Sequence, residues 1–285
     1  MGVTEIAFLP LQEGKFPDDR TSVPGQVHVD VLDILLSQPG CQRCYWGRQV
    51  EDRNLLRWFV DWDSIDSHKK FMNSALYKPF LDRFRLILAG PTNLYHAQFT
   101  PHPPTAALSD TTSPTTEIVT MWFPTSYSEE DKKKVVDDAK ALVAVVEKEA
   151  KTYRASAGGW VEEEINIPGT DEKGKAYVLL IGWTSVEAHM EFRETNAFKE
   201  NIHYLRDAKD LKKLEAVHAS MTEVTGGASG VGDVSDVQPD IQGEVLNPQS
   251  GPKNPPKTRS DGTTTKHAEQ LRGAANAFHK PATGS

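Results

Sequence analysis

The side chains that could do chemistry in this chain are few, and strand alternation gathers them. Residues 55–62 read as a β-strand with Leu56, Trp58, Val60 and Trp62 on one face and Leu55, Arg57, Phe59 and Asp61 on the other. Residues 176–183 repeat the plan, with Tyr177, Leu179, Ile181 and Trp183 opposed to Ala176, Val178, Leu180 and Gly182. In residues 93–99, Tyr95, Ala97 and Phe99 alternate with His96 and Gln98, and a later strand places His218 and Ser220 in the corresponding positions. If every bulky face lies beneath helices, then Arg57, Asp61, His96 and Gln98 point into one space, walled further by Phe59, Val178, Leu180, His218 and Ser220. That set could act on a small apolar or aromatic molecule, with His96 as base toward an acidic phenol or enol, Arg57 stabilising the anion and Asp61 orienting one of them. A buried guanidinium needs a partner, and Asp61 is the expected one for Arg57. The alternative is a structural ion pair and two satisfied histidines at a sheet interface.

The elements that would position these residues occur twice. Trp62, Ser64, His68 and Phe71 recur as Trp183, Ser185, His189 and Phe192 at one offset of 121 (183 − 62), Thr4-Glu5-Ile6 recurs as Thr116-Glu117-Ile118, and Tyr95-His96-Ala97 as Val217-His218-Ala219. Such a period is close to the size of a small domain. Each copy reads strand, helix, strand, strand, helix, strand, the ferredoxin-like split βαβ plan. Ser64, Ser128 and Ser185 stand where helix N-caps are expected, and Val27, Val31, Ile34 and Leu35 form a helical stripe. His68 and His189 fall inside the capped helices and are expected to be buried and hydrogen-bonded or on the helix surface, without function.

The fold class expected is α+β: two split βαβ domains packed sheet to sheet as an intramolecular α/β-barrel pseudo-dimer. Residues 1–100 form the first half, 101–115 a Pro/Thr-rich linker and 116–222 the second half. Residues 223–285, rich in Gly, Ser, Pro, Lys and Thr, are expected to be a disordered tail, with residues 266–278 as a transient helix or docking peptide. Because the sheet faces are occupied within the chain, the expected unit is a monomer.

A formal net charge of −8 argues against a nucleic-acid partner, and no apolar run approaches a membrane span, so the chain is expected to be soluble and cytoplasmic. Cys41 and Cys44, the only cysteines, supply two ligands where zinc takes four, and are expected to be reduced thiols in a turn, with no metal bound. The motifs of serine hydrolases, phosphate-binding loops and zinc peptidases are missing from the sequence.

The W-x-S-x-x-x-H-x-x-F run after a strand, inside a split βαβ unit, resembles the dimeric α/β-barrel superfamily, and above all antibiotic-biosynthesis-monooxygenase-like domains. The helix endings Ser74-Ala75-Leu76-Tyr77-Lys78 and Asn196-Ala197-Phe198-Lys199 carry the resemblance further. It implies a cofactor-independent oxygenase or related enzyme acting on a small aromatic or polyketide-like substrate in the inter-sheet cavity, with a non-catalytic binding or stress-response protein as the alternative. Haem-degrading members of the superfamily would place their axial histidine at Ile202 or Leu81, with His203 one residue off, so haem is not expected and no cofactor is assigned.

Overall fold

Serine hydroxyls start four of the helices. Ser22, Ser64, Ser128 and Ser185 sit in extended conformation and accept from the backbone N–H three residues on, which satisfies a donor that the first helical turn leaves open. The computed structural model describes residues 2–226, so the expected disorder of the tail and the docking peptide lie outside the described residues.

The first half runs β1 (Val3–Pro10), α1 (Val23–Leu36), β2 (Cys41–Arg48), β3 (Leu55–Trp62), α2 (Ile65–Met72), α3 (Tyr77–Phe84) and β4 (Asn93–Thr100). A short α4 (Thr105–Leu108) follows. The second half runs β5 (Thr115–Pro124), α5 (Glu129–Glu149), β6 (Tyr153–Val161), β7 (Ile165–Asn166), β8 (Lys173–Trp183), α6 (Val186–Arg193), α7 (Asn196–Asn201), α8 (His203–Arg206), β9 (Lys213–Ala219) and β10 (Thr222–Thr225). The α+β class and the split βαβ plan of each half are therefore as read from the sequence. The two cysteines open β2 instead of lying in a turn; both are free, and burial pushes both thiols up, Cys41 to about 12.

The strand order β10-β2-β3-β1-β4-β6-β8-β5-β9 joins the halves edge to edge. At one seam β4 pairs antiparallel with β6, from Ala97 opposite Val161 to Thr100 opposite Gly158. At the other, Gln49 bridges Ala219 and β10 pairs with β2, with Thr222 opposite Trp46. The sheet thus closes into a barrel, and closure removes the unpaired edges that each half would expose alone. Three apolar clusters result. One lies between the first sheet and α1 to α3, one between the second sheet and its helices, and one inside the barrel, built on Ile6, Tyr45, Phe59, Tyr95, Phe99, Ile118, Trp122 and Leu180. The segment expected to be a plain linker takes part: Ala107 and Leu108 of α4 are buried in the barrel cluster. No helix among the described residues is long and apolar enough to cross a membrane.

A glycine sits at the same place in each seam. A Cβ on Gly159 would lie 2.4 Å from the Gln98 carbonyl oxygen, and one on Gly47 would lie 2.1 Å from that of Ser220. The strands can approach only because neither residue has a side chain. Gly47→Val and Gly159→Val are each expected to cost about 1–3 kcal/mol of stability by forcing a seam apart. Gly90→Ala, where a Cβ meets nothing within 4 Å, should leave the melting temperature almost unchanged in calorimetry.

Candidate functional site

Alternation on the first sheet fixes where each polar side chain goes. Glu5 stands opposite both Val60 and His96 in the register, and Val60 belongs to the cluster beneath the helices, so Glu5 and His96 also face the helices. Tyr95, Ala97 and Phe99 face the barrel interior instead. The expectation that His96 and Arg57 share one space is corrected: they lie on opposite faces of the sheet. His218 likewise turns toward the helices, Gln98 is exposed, and Ser220 is exposed and donates to the Pro114 carbonyl. Phe59, Val178 and Leu180 do line the interior, together with buried Arg57 and Asp61.

Inside the barrel, Arg57 and Asp61 do not pair. The Arg57 guanidinium donates through Nε and Nη2 to the Gln49 Oε1 at 3.1 and 2.7 Å, and covers the Phe8 ring at 3.9 Å. Burial pulls it down to about 10. Asp61 accepts from the Thr4 hydroxyl at 2.6 Å and lies 3.5 Å from the Arg43 Nε. Burial raises its carboxyl above the usual range, against the Thr4 bond and the Arg43 charge. An amide and a ring face thus partner the cation, which the four-residue spacing on one strand had suggested for Asp61.

On the helix side the repeated residues form a chain. The Trp62 Nε1 donates to the Glu5 Oε2 at 3.0 Å, and the same oxygen lies 3.4 Å from the His68 Nε2. His68 Nδ1 meets His96 Nε2 at 2.8 Å, and His96 Nδ1 meets the Glu163 Oε1 at 2.5 Å. The indole of Trp62 stacks on the His68 ring at 4.9 Å. The second half repeats every link. Trp183 donates to Glu117 at 3.2 Å, Glu117 lies 3.3 Å from His189, His189 meets His218 at 2.7 Å, and His218 meets Glu51 at 2.6 Å. The terminal carboxylate always comes from the other half: Glu163 follows β6, and Glu51 lies in the turn between β2 and β3. Each also accepts the backbone N–H of its histidine, His96 or His218, just beyond the seam where no strand is left to pair with it.

Proton counting constrains these chains. The His–His link and the link to the terminal glutamate need one proton each, which two neutral imidazoles supply, whereas His68 and His189 approach Glu5 and Glu117 at 3.4 and 3.3 Å, longer than a hydrogen bond, so that this nitrogen needs no proton. In the second half burial raises the Glu117 carboxyl above its ordinary range, while burial and the neighbouring His218 hold His189 well below its ordinary value. Burial also lowers His68, and Glu163, although burial works to raise it, is held low by its bonds from His96. The chains differ at their ends: the Glu163 side chain is 41% exposed and the Glu51 side chain 8%.

Both chains border small cavities beneath the helices. The first, about 30 Å³, is lined by Glu5 and His68 with Trp58, Phe71, Tyr77, Phe80 and Phe84 among its walls, and the second, about 20 Å³, by Glu117 and His189 with Trp183, Phe192 and Phe198. Leu81 and Ile202, where a haem ligand would stand, line these cavities, and His203 is exposed with its Nδ1 at 2.8 Å from the Glu200 carbonyl. The site that sequence reasoning missed was signalled by the repeat itself, since Glu5/Glu117, Trp62/Trp183, His68/His189 and His96/His218 are identical in both copies.

With this geometry in hand, comparison with known proteins is informative. Residues 28–83 match the family model described as Antibiotic biosynthesis monooxygenase. No curated protein matches the chain. Among solved structures, an anthrone oxidase-like protein aligns at 14% identity with a TM-score of 0.56, covering 79% of this chain and 94% of its own. A protein of Fusobacterium nucleatum subsp. nucleatum provisionally assigned as a monooxygenase aligns at 10% identity with a TM-score of 0.51, over 79% and 94%. The first half carries an antibiotic-biosynthesis-monooxygenase-like domain, and the second half repeats its architecture.

Acid should destabilise the protein through its buried histidines. His28, which accepts the Trp58 Nε1–H at 3.1 Å, is lowered by burial from 6.5 to about 3, and His68 and His189 are lowered too. Such a histidine stays neutral in the folded chain while the unfolded chain gains a proton, so its stabilisation is complete above pH 6.5 and is lost as pH falls toward the folded value. Glu117, raised by burial, works the other way, stabilising the fold below 4.5 and losing that contribution as pH rises. His28 alone should remove about 2 kcal/mol between pH 7 and pH 5. Calorimetric melting at these two pH values should show a large fall for the wild type and a smaller one for His28→Gln.

Proposed function

We propose that the chain is a cofactor-independent, monooxygenase-like oxidoreductase acting on a small aromatic or polyketide-like molecule with an acidic C–H, and that its reaction takes place beneath α2 and α3 of the first half rather than among the apolar side chains of the barrel interior. The observation that carries this reading is the chain from buried Glu5 and His68 through His96 to partly exposed Glu163. It joins a base in an aromatic pocket to a carboxylate in contact with water, which is what removal of a substrate proton to solvent requires. The match of residues 28–83 to the monooxygenase family supports the same class.

In this mechanism His68 takes a proton from an activated CH₂ group, and the relay passes a proton on through His96 to Glu163. Dioxygen adds to the resulting carbanion, and the peroxide anion takes back a proton to give a hydroperoxide, which loses water to leave a ketone; CH₂ and O₂ become C=O and H₂O. Trp62, stacked on His68 and bonded to Glu5, positions both. The cavity as it stands holds about one water molecule. Substrate entry therefore requires the short helices α2 and α3 to lift from the sheet. With both seams closed within one polypeptide, the single chain is the working unit.

The test is dioxygen uptake with anthrone and a 1,3-diketone as probes, the first chosen from the description of one structural neighbour. His68→Phe should lower the rate by about 10²-fold or more, as expected for loss of a general base. His189→Phe, in the chain that ends on buried Glu51, should stay within a few-fold of the wild type. Equal rates in all three proteins, or loss only in His189→Phe, would refute the assignment.

A further inference from the structure

The second half contains a larger cavity, about 220 Å³, between α5 and the outer side of β6 and β8, away from the residues of the relay. Its origin can be read by laying one half on the other. Trp46 faces Trp58 in the first half, and Gly158 faces Leu179 in the second, the same two places in the repeat. In the first half the two indoles close around His28, at 4.4 and 5.5 Å between ring centres, and fill the space beneath α1. In the second half, both indoles are gone and α5 presents Val136, Ala139 and Val143. Tyr177 leans across Gly158, where a Cβ would lie 2.1 Å from its hydroxyl oxygen, and takes up part of the room. What is left is the cavity.

We infer that this cavity is a second ligand site, which takes a planar aromatic acid of one or two rings in the place where the first half holds its own Trp46. An engineered cavity of ~150 Å³ accepts benzene, so this one has room for an aromatic ring. Its walls suit that ligand. Tyr177 and Trp160 line it, their rings 5.3 Å apart, and the Trp160 Nε1 is buried without a hydrogen-bond partner, so an acceptor on the ligand would satisfy it. Lys140 stands at the rim with no hydrogen bond or ion pair among the described residues and would face the carboxylate, beside Gln98 and Ser156. An indole-sized acid meets all three conditions. The site is independent of the proton relay, whose histidines do not line it.

Isothermal titration of the full chain with indole-3-acetate and with indole tests this. Wild type should bind both saturably. The double substitution Gly158→Trp with Tyr177→Leu rebuilds the first half's pair Trp46 and Leu56 in the second half, and should reduce affinity at least tenfold while the melting temperature holds. Ala139→Leu, which fills the cavity from the helix side, should do the same and serves if the double variant fails to fold. Lys140→Ala should weaken indole-3-acetate several-fold and indole hardly at all. His68→Phe should bind both as wild type does, which separates failure of this site from failure of the relay. No saturable heat with wild type, or affinity unchanged in the folded cavity-filling variants, would overturn the inference.

Discussion

A split βαβ sheet cannot stop at its edges. Each half of this chain has backbone donors and acceptors on its outer strands and one apolar face left over by helices that cover only the other. Closing two such sheets into one barrel answers both demands, and most of what is distinctive here follows from that closure. The seams require glycine at positions 47 and 159. Where the seam pairing runs out, the backbone N–H of His96 and of His218 would be left open, and a glutamate from the opposite half accepts it. The same carboxylate then takes the imidazole N–H. A relay joining the two halves is thus a by-product of finishing a sheet edge.

That origin explains why the relay occurs twice and why the copies could diverge. The pseudo-twofold geometry supplies both sets of links, but nothing in barrel closure sets the exposure of the terminal carboxylates. Glu163 lies in a loop between strands and reaches water, whereas Glu51 is enclosed. A buried polar chain whose every member is paired adds rigidity wherever it occurs. Only one with an outlet can also exchange protons with solvent.

Much of the fold was legible in the sequence. The boundaries of β3, the caps at Ser64, Ser128 and Ser185, and the duplication itself follow from alternation, capping chemistry and fixed offsets, all of which are local or periodic. The faces of β3 and β8 were also legible, because Trp58 and Trp62, and Tyr177 and Trp183, need the depth beneath helices. The face of β4 was not. Tyr95, Ala97 and Phe99 are apolar and belong to the barrel interior, but in a closed barrel the inside is as dry as the helix side, so hydrophobicity marks burial without saying on which side. His96 faces the helices because His68 and Glu163 complete its hydrogen bonds, the latter 67 residues away in sequence, and no local pattern reports such a partner. Pairing Arg57 with Asp61 failed for a related reason: Gln49 and Phe8 are neutral, and a search for charge complements passes over them.

The repeat carried more than it was asked to. Identity between two copies that have otherwise diverged, at Glu5, Trp62, His68, His96 and their counterparts, falls on polar or amphipathic residues in buried strand and helix positions. Some apolar positions are kept, as at Ile6/Ile118 and Phe71/Phe192, but others exchange, Trp46 for Gly158 and Leu56 for Tyr177. A core absorbs such exchanges at a cost set by the volume left empty, whereas a hydrogen-bonded chain that loses one link leaves a buried polar group unpaired. In this duplicated chain every member of the hydrogen-bonded chain stays identical, and the exchange that left the groove beneath α5 falls on positions held by packing alone.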